Sequence, residues 1–370
     1  MVEAADPDPD PATSWQERSR LFELGRSSWQ DYDRELLSEG GMIVPRGSKE
    51  IHLNPRIREV LGIEDEGTMD GETLIRHILR APAELLWNGG IGTYVKATAE
   101  THAQAGDPAN DAVRVDAGAL RCQVVGEGGN LGFTQRARIE YDLAGGRINT
   151  DAIDNSGGVD LSDREVNLKI LLRMATDAGE LDMAARNVLL RELEPEVASL
   201  VLRDNENQGF AVSLDLLRSR EGLDDLRDLM SGLEREGVLD RAGEHLPTWE
   251  VLAERQEEGK GFTRPELSVL LAYAKLHLTS HLLRSRVPDD PVADRYLKGY
   301  FPARAVEVVG EGRLKEHRLH REIVASQLAG DLVNLMGAGF IHRVSRGMGR
   351  SPAEVARAWL VAAELTGQPR

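Results

Sequence analysis

The run DNSGGVDLSDRE, Asp154 to Glu165, holds three aspartates, two serines and two glycines in twelve residues. So little apolar surface builds no core by itself, and such a run is either a turn or a place where backbone meets a ligand. Gly157 and Gly158 would let a ligand approach the main chain closely. Ser162 followed by Glu165 reads as a capping box that opens the helix SDREVNLKILLRM, with Val166, Ile170 and Met174 on its buried side. A helix start with a serine hydroxyl and free amides attracts a carboxylate or phosphate, although a plain N-cap is the commoner use of such a serine.

Two glycine runs stand upstream. GEGGNLG, Gly126 to Gly132, follows a strand-like segment and precedes a helical one, the setting in which glycine loops cradle pyrophosphate on helix amides. Asp151 and Asp154 follow about 20 residues later, as the acidic partner of a dinucleotide fingerprint does, but the spacing is GxGGxxG and out of register with GxGxxG. A tight strand-to-helix turn explains the same residues. NGGIGTY, Asn88 to Tyr94, offers the same pair of readings: a strand end that meets a ribose, or a simple turn.

Metal and nucleophile chemistry find less support. His317 and His320 are spaced HxxH without a third ligand nearby, which suits a solvated helix face better than a metal centre. Cys122 sits in an apolar run and reads as core. GxSxG and HExxH motifs are absent from the sequence.

The elements that must position these residues change character along the chain. Its 370 residues suffice for two or three domains at about 150 residues each. Ser14 to Leu37 reads as one or two short helices, and SEGGMIVPRGSKEIHL as a loop around a brief strand. Glu72 to Ala81 is helical by periodicity, Ala83 to Trp87 is a short apolar run, and Leu120 to Val125 is a buried-type strand. Thr134 to Ala144 is helical again, and Arg147 to Ile153 is the next strand. Strands that alternate with helices and end in glycines predict a parallel sheet with its loops along one edge, where ligands bind.

Beyond Ser162 glycines thin out. Leu267, Leu270, Leu271, Ala274, Leu278 and Leu282 recur at helical spacing behind a capping box of Thr263 and Glu266, and Ser351, Pro352 and Glu354 mark another helix start. The expected fold class is therefore α/β followed by all-α, with a boundary close to residue 160. The alternating DPDPDP of Asp6 to Pro11 favours extended backbone and buries nothing.

Composition narrows the partners. Hydrophobic residues at 41% and charged residues at 29% are ordinary for a globular protein, and a net charge of -17 argues against a nucleic-acid backbone as partner. No run reaches the roughly 18 apolar residues of a membrane span. One cysteine excludes an internal disulfide. The expected location is cytoplasmic, with no membrane partner.

In order and spacing, ELLWNGGIGTYVKA, GDPANDAVRVD, VVGEGGNLGFTQRARIEY and GGRINTDAIDNSGGVDLSDREVNLKILL resemble the large bacterial NAD-specific glutamate dehydrogenases. The resemblance continues through LVLRDNENQ, GFTRPELSVLLAYAK, YFP and HRLHREI, and covers nearly the whole chain. GEGGNLGFTQ and NSGGVDLS also look like the EGANGPTT and NAGGVTVS segments of the smaller glutamate dehydrogenases. The resemblance implies NAD as cofactor, bound through Asn88, Gly89, Gly90, Gly128, Asn130 and Asn155. It implies L-glutamate and 2-oxoglutarate as substrates, held by Ser162 and Asn155.

Residues 1–160 would then be a partial dinucleotide-binding, Rossmann-like domain with an incomplete parallel sheet, and residues 161–370 a helical carboxyl-terminal domain. The family's catalytic lysine and aspartate lie upstream of the segment that looks like DPDPDP, so no catalytic residue is expected here. The chain is expected to form a homo-oligomer or to join a missing amino-terminal portion. Arg164 stands where the family usually has histidine and Ala137 where it usually has glycine. Two rivals remain: a non-catalytic remnant or split subunit that docks onto another chain, and an amino-acid dehydrogenase of different substrate.

Overall fold

The computed structural model describes residues 2–64 and 67–367. The chain forms two compact units, Met1–Ile148 and Asn149–Arg370.

The first unit has little regular structure and three small cores. Strands β1 (Val2–Ala5) and β2 (Met42–Pro45) pair antiparallel. β3 (Leu85–Asn88) pairs in parallel with β6 (Val124–Glu127), in the register Leu85 to Val124 and Asn88 to Glu127. β4 (Val95–Lys96) pairs in parallel with β5 (Val115–Asp116). Around them lie α1 (Pro11–Glu23), α2 (Pro55–Leu61), α3 (Gly71–Leu79), α4 (His102–Ala105) and α5 (Gln135–Leu143). The parallel pairing expected from the sequence is present, but as separate two-stranded pieces among the described residues.

Two strand expectations need correction. The strand expected over Leu120 to Val125 lies at Val124–Glu127, so that Gly126 and Glu127 are in the strand itself. Pairing with β3 sets these limits, since Val124 to Glu127 lie opposite Leu85 to Asn88, and Trp87 leaves room only for glycine at 126, where a Cβ would be 2.6 Å from the indole. Of the strand expected over Arg147 to Ile153 only a single parallel bridge, Arg147 to Val124, forms; from Asp151 the chain turns helical. DPDPDP also starts a helix: the Asp10 side chain accepts from the Thr13 amide and Pro11 fills the first position of α1, where its missing N–H costs nothing.

The second unit is helical throughout: α6 (Asp151–Asp154), α7 (Ser156–Asp177), α8 (Met183–Glu221), α9 (Asp224–Arg235), α10 (Trp249–Glu257), α11 (Arg264–Leu283), α12 (Asp294–Tyr300), α13 (Ala303–Val309), α14 (His320–Met336), α15 (Phe340–Met348) and α16 (Pro352–Leu365). The stripe of α11, from Leu267 to Leu282, is buried as its spacing requires and packs on α14 through Leu328, Leu332 and their neighbours. Each such leucine contributes about 1.5–3 kcal/mol of burial. Thr263 and Glu266 cap α11 reciprocally, and Arg255 grips the same carboxylate at 2.8 and 3.0 Å. Ser351 and Glu354 cap α16 in the same way. α8, at 39 residues, is about 58 Å long at 1.5 Å per residue. No single helix among the described residues is long and apolar enough to cross a membrane.

His317 departs from the expected solvated face. It is fully buried, with Nε2 3.1 Å from the Asn167 carbonyl and Nδ1 accepting from the Leu319 amide at 3.2 Å. Burial lowers its pKa, and the two hydrogen bonds define a neutral ring with the proton on Nε2.

Candidate functional site

The carboxyl ends of β3 and β6 lie side by side in the first unit. The Asn88 carbonyl accepts from the Gly129 amide at 2.8 Å, and the Asn88 side-chain oxygen accepts from the Gly90 amide at 3.3 Å. These bonds bring NGGIG and GEGGNLG together. The glycines are required by the chain's own packing. A Cβ at Gly128 would be 2.4 Å from the Trp87 ring, one at Gly129 would be 2.2 Å from the Gly90 carbonyl, and one at Gly132 would strike the Asn88 amide. α5 begins only at Gln135, with Thr134 as its cap. The geometry thus supports the tight turn for the glycines of GEGGNLG, which do not open directly into a helix.

Below this turn Glu127 is buried and doubly bonded by Arg138 of α5, Nε to Oε2 at 2.7 Å and Nη2 to Oε1 at 2.9 Å. The Phe133 amide donates to the same carboxylate at 3.2 Å. What remains open is the rim. Gly90 has free space where a Cβ would be, Asn130 is exposed, and the Asn88 amide nitrogen is buried without a hydrogen-bond partner among the described residues.

The second place is the amino end of α7. This helix begins at Ser156, so Ser162 does not cap it: Ser162 lies in the second turn, exposed, about 9 Å along the axis. The buried face is accordingly Arg164, Asn167, Leu168, Leu171, Leu172 and Ala175, and Val166 points to solvent. Gly157 and Gly158 lie in the first turn; a Cβ on Gly157 would touch Val201 of α8 at an ordinary 3.5 Å. Asn155 ends α6 and precedes α7, and its side chain makes no capping bond. The amino-terminal amides of α7 therefore follow Asn155 directly, upstream of the expected place.

Ser156 ties this helix start to α8. Its hydroxyl accepts from Asn205 at 2.9 Å and from Gln208 at 3.3 Å, and Asn205 also donates to the Ile153 carbonyl at 2.7 Å. Gln208 in turn accepts from the ammonium of Lys275 on α11 at 3.2 Å. Nearby in the same helix pair, buried Arg164 donates to Asp204 and, at 2.8 Å, to the Tyr300 carbonyl. Arg264 donates to Asn149 at 2.9 Å, and Asn149 to Asp154 at 2.7 Å.

The lysines differ sharply. Lys96 is paired with Asp116 and Lys169 with Glu165. Lys275 has no carboxylate within ion-pair distance among the described residues, and desolvation lowers its pKa to about 8, opposed by the more distant charge of Asp204. Asn205, Gln208 and Lys275 were visible in the sequence only as parts of a resemblance, because neither composition nor spacing marks an amide on a long helix as a partner for a serine fifty residues away.

The family model for the bacterial NAD-glutamate dehydrogenase catalytic domain matches residues 4–215, more than half of the chain. The chain belongs to that family. A second model, for the carboxyl-terminal part of glutamate dehydrogenase, matches residues 259–369. Among relatives named NAD-specific glutamate dehydrogenase, the Halomonas elongata protein is 48% identical over 99% of this chain. The Pseudomonas aeruginosa protein is 50% identical over 98%, and the Mycobacterium tuberculosis protein 45% identical over 98%. The chain spans 22% of the length of each. Both residues that depart from the glutamate dehydrogenase pattern are structural here. Arg164 is buried among Asp160, Asp204 and Tyr300, and Ala137 is buried with its amide donating to Thr134.

Proposed function

We propose that this chain is the cofactor-facing and carboxyl-terminal portion of an NAD-dependent glutamate dehydrogenase, which oxidises L-glutamate to 2-oxoglutarate and ammonia. The observation that carries the reading is the 45–50% identity over nearly the whole chain to proteins bearing that name. NAD, when bound, supplies the acceptor for the hydride that leaves the α-carbon of the amino acid.

The chain's own residues fit that cofactor at the strand rim better than within the glycine turn. Asn88 has a buried amide donor without a partner among the described residues, and Gly89, Gly90 and Asn130 present main chain beside it. Gly128 lies under Trp87 and contributes shape. The exposed side of β3 supports the view that β3 and β6 belong to a larger Rossmann-like sheet, and that residues 1–160 and 161–370 act as cofactor and helical domains. Asn155 and the first amides of α7 attract a substrate carboxylate, with Ser162 one and a half turns farther on. Ser156, Asn205 and Gln208 hold that helix start in place. The catalytic lysine and aspartate then come from elsewhere in the enzyme.

Trp87 beside the rim gives the test. NADH binding should quench its fluorescence with energy transfer to the nicotinamide, and Asn88→Ala should weaken binding. Glutamate-dependent reduction of NAD should require the longer enzyme. Steady turnover by the 370-residue chain alone would overturn the division of labour, and an absence of NADH binding in the longer enzyme would overturn the cofactor reading.

A further inference from the structure

At the carboxyl end of α9 the second unit gathers Glu236, which terminates that helix, with His277 and His281 of α11. The two histidines are four residues apart and so share one helix face. A ligand atom from each of the three side chains lies within 4.8 Å of the others. His277 Nε2 is 2.8 Å from a Glu236 carboxylate oxygen, and the two imidazole centroids are 4.5 Å apart.

A third imidazole comes from α15. The ring of His342 lies against Gly232, where a Cβ would be 2.1 Å from its Cε1, and Gly232 is one turn before Glu236 on α9. Nε2 of His342 is buried without a hydrogen-bond partner among the described residues. The carboxyl terminus of α9 adds the negative end of a helix dipole.

We propose that Glu236, His277 and His281 form a binding site for a divalent transition-metal ion, with Zn2+ as the best match. Two imidazoles and one carboxylate are the donors zinc takes, and three protein ligands leave a fourth place for water. Ligand atoms on tetrahedral zinc stand roughly 3.4 Å apart for bonds of about 2.1 Å, so small rotations of the three side chains would close the set. The ion would clamp α9 to α11, and the site is independent of the cofactor reading.

The test uses the 370-residue chain freed of metal by a chelator and then titrated with Zn2+ by calorimetry, and with Co2+ by visible absorption. The expected result is one ion per chain, intense cobalt bands of a tetrahedral site, and a melting temperature that rises with free Zn2+. His281→Ala and Glu236→Gln, each checked for unchanged helicity, should weaken binding at least tenfold. Substitution of His245 should change nothing. Absence of saturable binding to the parent chain, or equal binding by the His277→Ala/His281→Ala double variant, would overturn the site.

Discussion

Arg138 holds Glu127 with two parallel hydrogen bonds, 2.7 and 2.9 Å, in a setting where both side chains are buried. The pair joins the end of β6 to α5 and fixes the turn between them. Removing one partner leaves a buried charge alone, a loss of about 3–5 kcal/mol. Glu127→Ala should therefore lower the denaturation midpoint of the first unit, and Arg138→Ala should do the same. The double variant should be less damaged than the sum of the two, which a double-mutant cycle in urea measures.

Lys275 predicts a pH dependence. Its pKa is lowered to about 8 in the folded chain from an ordinary 10.5, so between those values the unfolded chain binds more protons and stability rises with pH. At neutral pH the desolvated ammonium is a cost of about 3 kcal/mol. Lys275→Met should raise stability at pH 7 and flatten the climb from pH 8 to 10, read as the difference between two urea series. An unchanged slope in the variant would place the effect on another group.

Ser162 lies within α7, so Ser162→Ala should leave stability unchanged or raise it by about 0.5 kcal/mol through helix propensity. If the serine binds the substrate carboxylate, the longer enzyme carrying this variant should lose about 1.5–3 kcal/mol of binding, a tenfold to hundredfold rise in the Michaelis constant for glutamate, with NAD affinity unchanged. Asn155→Ala should alter cofactor affinity and turnover number together. Unchanged glutamate kinetics in Ser162→Ala would leave the anion to the amides beside Asn155.

The outer edge of β3 has no strand neighbour among the described residues, and Leu85 and Trp87 of this strand are 54% and 59% exposed. Such an edge recruits other chains. The 370-residue chain should self-associate with rising concentration, and Leu85→Lys should suppress this without lowering the melting temperature. Light scattering and a thermal scan together decide it.

Sequence legibility followed the range of the forces involved. The stripe on α11 and the caps at Thr263 and Ser351 were readable because periodicity and capping are local. Ser162 misled because its capping box is a valid local pattern overruled by an earlier start at Ser156, where Asn205 and Gln208 reach across from α8. His317 misled because its burial depends on Asn167, 150 residues away in sequence. The glycines of GEGGNLG read from sequence as a pyrophosphate cradle or a tight turn, but the groups that demand them, Trp87, Gly90 and Asn88, come from the neighbouring strand, which no spacing rule connects to them.

α8 carries its polar contacts, Asp204, Asn205 and Gln208, between two stretches locked in the core, Leu189 to Val201 and Ala211 to Val212. The partners of Arg164, Ser156 and Lys275 are therefore mounted on one rod whose register is set at both ends. Slippage by one residue would turn all three away together by about 100°. Fine adjustment of any one contact cannot come from sliding this helix, and tuning within the family must proceed by exchanging side chains on a fixed ruler.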